Sequence, residues 1–151
     1  ELVLWVHATL LDSIPLLYQQ LVGPLTDAER DAFCEESRIV PIALGADPGR
    51  VPRTYAAVRE YVDTMLASSD IAVSADARIV AEAVLTLPVR PLTTPIAHVE
   101  RVIAVGLLPD ILRQQYGFSW NADDERARER WCGRIRAARR LAPEWLSRWG
   151  D

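Results

Sequence analysis

Apolar residues recur at spacings of three and four along almost the whole chain, and no β-branched run alternates between turn signals as a half-buried strand would. That periodicity restricts the fold to helices packed on helices, and we expect an all-α bundle of about seven helices forming a single domain over residues 1–151. In the first segment Val3, Val6, Leu10, Ile14, Leu17 and Leu21 share one helical face, while Leu4, His7, Leu11 and Tyr18 lie on an adjoining stripe. A helix apolar around so much of its circumference is expected to be central and buried. His7, Asp12, Gln19 and Gln20 interrupt the run, so it reads as a buried soluble helix; a membrane span needs ~20 nearly uninterrupted apolar residues. Pro15 lacks an amide hydrogen and crowds the carbonyl four residues earlier, which predicts a kink between Leu11 and Pro15. Gly23-Pro24 is a helix stop.

Thr26 followed by Glu29 predicts a capping box opening a helix over residues 26–37, with Pro41 limiting its extension. Leu44 to Gly49 reads as a turn cluster. A helix follows from Pro52 to Ala67, its apolar face made of Tyr55, Val58, Val62, Met65 and Leu66. Ser74 caps another through Leu87, and Pro88-Val89-Arg90-Pro91 and Pro95 mark a loop. The next helix is expected from Ile96 to Val105, broken at Gly106, and Pro109 starts a short one stopped by Gly117. Asn121 caps the last long helix, and Pro143 begins a final turn carrying Trp145 and Trp149, for which packing inward is the expectation.

The chain has 151 residues, half of them apolar, enough to bury a sizeable core without staples. Cys34 and Cys132 stand far apart with no metal spacing, so reduced thiols and a cytoplasmic setting are expected. The formal charge of −4 argues against a general nucleic-acid binder, and the absence of lysine reads as the codon bias of a GC-rich genome. The chain begins without Met while an apolar helical pattern is already running, with no basic segment before it. A piece of a longer protein without a signal peptide is therefore expected.

No phosphate loop, nucleophile elbow, HExxH or CxxC occurs. With two histidines, a multi-histidine metal cage cannot be built from this chain. His7, on the most apolar helix, has two readings: an axial ligand to haem iron, or, more commonly for such a residue, a core histidine satisfied by hydrogen bonds. His98, beside Glu100 and Arg101, reads as partly exposed and structural. Asp12, Asp63 and Glu82 fall in or near apolar faces, where a carboxylate more often pairs with an arginine such as Arg59 or Arg78 than acts as an acid or base. The last helix is acidic at its start (Asp123, Asp124, Glu125) and arginine-rich afterwards, with Trp131, Ile135 and Ala138 as its inward stripe. Contact with lipid or nucleic acid is one reading of that face; the acidic first turn and overall acidity favour a simply solvated one.

Leu4 to Ser13, LWVHATLLDS, resembles the "WVHATLVDS" signature of the mpaB/rubber oxygenase (latex-clearing protein) catalytic domain family. Further segments agree in order: Val22 to Arg30 is similar to that family's "GPLS-x-AER" turn, and Arg59 to Leu66 to its "LRAYVDAML" helix. Gly106 to Pro109, with Leu112-Arg113 and Tyr116-Gly117-Phe118, is similar to its "GLLP…LR…YGL" segment. The resemblance implies an all-α, haem-b-dependent oxygenase acting with O2 on an apolar, isoprenoid-like substrate, with His7 at the position of the proximal iron ligand. It further implies that this chain is the C-terminal part of that domain, and that the groups on the far side of the haem come from a preceding half. It gives Asp12 and Ser13 no step in catalysis, and Pro15 stands where an ordinary helix former is expected. The competing reading, from fold class and size alone, is a non-catalytic ligand-binding domain like the effector half of a bacterial transcriptional regulator. A helix-turn-helix module upstream would mark the latter.

Overall fold

The computed structural model describes residues 1–68, 71–85 and 94–141, the side chains of 94–97 excepted. The expected loop at Pro88 to Pro91, the end of the fourth predicted helix at Leu87, and the turn carrying Trp145 and Trp149 lie outside the described residues. Eight helical segments and no strand occur among the described residues: α1 (Leu2–Leu21), α2 (Asp27–Ser37), α3 (Ile39–Ala43), α4 (Tyr55–Ala67), α5 (Ala75–Leu85), α6 (Thr94–Leu107), α7 (Asp110–Tyr116) and α8 (Ala122–Leu141). The all-α expectation holds. The residues group into two compact units, Glu1–Ile71 and Ala72–Asp151.

In the first unit α1 packs on α4, α2 and α3. Its core joins Ala8 and Leu11 of α1 to Cys34 of α2 and to Val58 and Val62 of α4, with Trp5, Phe33, Tyr55, Tyr61 and Leu66 around them. The capping box forms as predicted: the Glu29 amide donates to the Thr26 hydroxyl at 3.2 Å, and the Thr26 amide to the Glu29 carboxylate at 2.7 Å. The Thr26 amide and hydroxyl, both donating to that carboxylate, lower the Glu29 pKa from its ordinary value. Thr54 caps α4 through the Ala57 amide, and Asp31 takes the Tyr55 amide at 2.8 Å, so α2 helps to start α4.

The second helix ends at Ser37 as expected, and a short helix that the sequence reading did not place follows it: Pro41 is the third residue of α3, where a missing amide hydrogen costs nothing. The exposure of α1 differs from the expectation of a central, buried helix. Its buried stripe is Leu4, Ala8, Leu11 and Pro15, flanked by His7 and Asp12, whereas Val6, Leu10 and Ile14 of the other predicted face are about half exposed. Periodicity groups residues onto a face; it does not say which face meets a partner. Here the small side chain of Ala8 and the ion pair of Asp12 decide in favour of the stripe that faces α4. The helix runs through Pro15 without a break.

In the second unit α6 packs on α8, and α5 on α6 and α7. Val102, Ile103, Val105 and Cys132 are its buried core. Ser74 caps α5 and Asn121 caps α8 as expected, and Gly117 ends α7 in the left-handed conformation at φ 78°. Gly106 does not break α6, which continues to Leu107. Its role is close approach: a Cβ there would stand 2.8 and 3.0 Å from ring carbons of Trp120 and would also strike the Arg128 side chain. Trp120 cannot easily swing away, since its Nε1 donates to Glu125 at 3.2 Å and the Arg113 guanidinium lies 5.2 Å from its ring. Helix propensity favours Gly106→Ala by ~1 kcal/mol, while forced overlap costs ~1–3 kcal/mol. We therefore expect Gly106→Ala to be net destabilising, read as a lower thermal midpoint; a raised midpoint would mean that Trp120 yields freely.

Candidate functional site

His7 lies on the seam between the two sides of α1. At 100° per residue it borders the buried stripe of Leu4 and Leu11 on one side and the exposed apolar strip of Val3, Val6 and Leu10 on the other. Only 7% of the residue is exposed, and its buried Nε2 has no hydrogen-bond partner. Burial lowers its pKa from the ordinary 6.5, so the imidazole is neutral at pH 7 with a lone pair available. A buried polar atom without a partner is uncommon in a folded protein; Arg30 Nε and Arg38 Nε share this state, but only His7 also lines an apolar groove.

The space beside His7 is an open groove of about 280 Å³. Leu2, Val3, Val6 and Leu10 form its α1 wall; Val40 and Pro41 of α3, with Leu44 just beyond, form the other. His7 is the one polar side chain in that lining. An apolar groove with a single convergent polar group is the usual form of a small-ligand site. The sequence did not reveal the second wall, because Pro41 was expected to stop a helix and Leu44 to begin a turn. The run Ile39, Val40, Ile42, Leu44, apolar around a proline that fits a first helical turn, was the signal available.

The expected carboxylate pairs form. Both oxygens of Asp12 lie 3.0 Å from Nη1 of Arg59, and the Tyr55 hydroxyl donates to Asp12 at 3.3 Å. Arg59 Nη2 also reaches Asp63 at 3.2 Å. The bond to Asp12 raises the Arg59 pKa further, and burial, with the Asp12 charge beside it, pushes the Tyr55 phenol above 10. Glu82 pairs with Arg101 at 3.6 Å, while Arg78 donates from Nε to the Gln115 carbonyl instead. Ser13 is exposed and its hydroxyl bonds back to the Thr9 carbonyl. His98 is exposed on α6. None of these side chains lines the His7 groove.

No group of three or more His, Cys, Asp or Glu among the described residues is arranged to hold a metal ion. His7 can fill one coordination position of a metal held mainly by something else. Both cysteines are free and buried, and burial pushes the Cys34 thiol up to about 11, which makes it a core side chain rather than a nucleophile. Among the described residues α1 alone is long and apolar enough, by length and composition, to cross a membrane.

The described chain is an all-α protein in which a histidine with a buried, unpartnered Nε2 lines an apolar groove. The family model for the "ER-bound oxygenase mpaB/B'/Rubber oxygenase, catalytic domain" matches residues 1–139. The chain belongs to that oxygenase family. No curated protein and no solved structure matches it. The segments that carried the resemblance now have physical content: WVHATLLDS places His7, Ala8 and Asp12 on α1, and the Gly106 to Gly117 segment supplies a close approach, a helix start and a left-handed stop.

Proposed function

We propose that this chain is the part of a haem-b-dependent oxygenase that ligates the iron through His7 and takes an apolar, isoprenoid-like substrate together with O2. The observation that carries this reading is that His7, whose buried Nε2 has no hydrogen-bond partner, is a lining residue of an apolar groove. The residues fit the group: a macrocycle brings four iron ligands of its own, so one neutral imidazole and apolar walls are what the protein has to provide. Haem, when bound, supplies a redox-active iron for dioxygen chemistry.

The chain's own contributions follow from its side chains. Burial holds His7 unprotonated and therefore competent to ligate. Val6, Leu10, Val40 and Leu44 shed water and accept flat or chain-like apolar surfaces. The Asp12–Arg59 pair ties α1 to α4 and so steadies the helix that carries His7. A cytoplasmic setting goes with this reading, the two thiols being free and buried.

The test is the visible spectrum and pyridine haemochrome of the intact protein beside a His7→Ala variant whose folding is checked by circular dichroism. A Soret band that collapses or shifts in a still-folded variant supports the reading. A wild-type protein that stays colourless after haem supplementation overturns it and leaves the apolar groove as a binding site for a cofactor-free ligand domain.

A further inference from the structure

From Arg130 to Leu141 the sequence holds five arginines and no carboxylate, in a chain whose formal charge is −4. The acidic first turn of α8 does not offset them. Asp123 pairs with Arg126, Glu125 with Arg128, and Asp124 accepts the Asn121 amide. Among the described residues no ion pair forms to Arg130, Arg134, Arg136, Arg139 or Arg140, and all five are exposed; Glu129 is the nearest carboxylate along the helix. Arg130, Arg134 and Leu141 stack on one side at intervals of four and seven, and Leu141 is 85% exposed. The side carrying Cys132 is buried, with Trp131 and Ile135 half-buried beside it.

We propose that this outward face of α8 is an electrostatic docking surface for anionic phospholipid headgroups. Guanidinium groups bind phosphate in a fork and keep their charge at any physiological pH. The apolar stripe of α8 is already buried, so the helix lies on the headgroups through its arginines rather than inserting a face. Leu141, exposed at the end of the patch, adds one apolar side chain that can dip into the headgroup layer. An acidic protein partner would call for an apolar centre within the charged patch, and Leu141 lies at its edge.

Co-sedimentation of the intact protein with phosphatidylcholine vesicles, with and without phosphatidylserine, tests the assignment. Binding should require phosphatidylserine. It should fall on the order of 100-fold in the triple variant Arg130→Gln, Arg134→Gln, Arg140→Gln, since each arginine near an anionic surface contributes roughly a factor of five. Should that variant fail to fold, a salt series on the unaltered protein reads the same interaction, which must collapse as the Debye length shrinks to about 3 Å near 1 M salt. Equal binding to neutral vesicles, binding that survives high salt, an unaffected triple variant, or preference for an RNA homopolymer over phosphatidylserine vesicles each overturns the proposal.

Discussion

In a His7→Gly variant of the intact protein, haem retention is expected to fall by ~100-fold or more, and added imidazole is expected to restore the Soret band. The magnitude rests on the donor set: His7 is the only side chain in the groove lining that carries nitrogen, and altering a group that merely orients a metal ligand already costs ~10–100-fold. Rescue is expected because glycine leaves a space of the shape of the lost ring against Leu4 and Leu11, while the flanking walls are apolar and stay in place. The same residue sets a pH dependence. Burial depresses its folded-state pKa below 6.5, so above 6.5 neither folded nor unfolded chain carries the proton and the stability is fully present. As pH falls from 6.5 toward the lowered folded value, the unfolded chain gains the proton first and the haem-free protein loses stability. Urea midpoints of the haem-free protein measured across that window should drop in wild type and flatten in His7→Gln. A His7→Gly protein that keeps a wild-type Soret band without imidazole would remove His7 from the iron.

Much of this architecture was legible because its signals are local. Thr26 with Glu29, Ser74, Asn121 and Gly117 satisfy backbone groups within a turn of themselves, so sequence spacing alone places them. His7 was legible as a candidate from its apolar neighbours and from the signature around it. The groove was not. Its far wall comes from α3, more than thirty residues on, and whether Val6 and Leu10 face a core or an open surface depends on which side of α1 its partners occupy. Gly106 misled for the same reason. A glycine in a helical pattern signals a break when only the backbone is considered, and the Trp120 ring that requires it is fourteen residues away in sequence.

Asp12→Ala is expected to destabilise the protein by ~2 kcal/mol, with the Soret position of the folded fraction unchanged. The carboxylate is buried and serves two donors, Arg59 and Tyr55. Breaking a fully buried pair typically costs ~3–5 kcal/mol, but the Arg59 side chain is 40% exposed and can recover water, which brings the cost down. Asp12→Asn keeps an acceptor and the side-chain shape, so about 1 kcal/mol is expected there. A double-mutant cycle with Arg59→Ala should return a coupling of ~1 kcal/mol, since the two side chains touch directly and tie α1 to α4. Single effects within ~0.5 kcal/mol of wild type would mean that the pair is no more than a solvated surface contact. The spectral half of the prediction follows from helix geometry: His7 and Asp12 flank the buried stripe of α1 on opposite edges, so the carboxylate steadies the helix without reaching the imidazole. A Soret shift in a still-folded Asp12→Ala protein would instead mean that the α1–α4 clamp sets how His7 meets the iron.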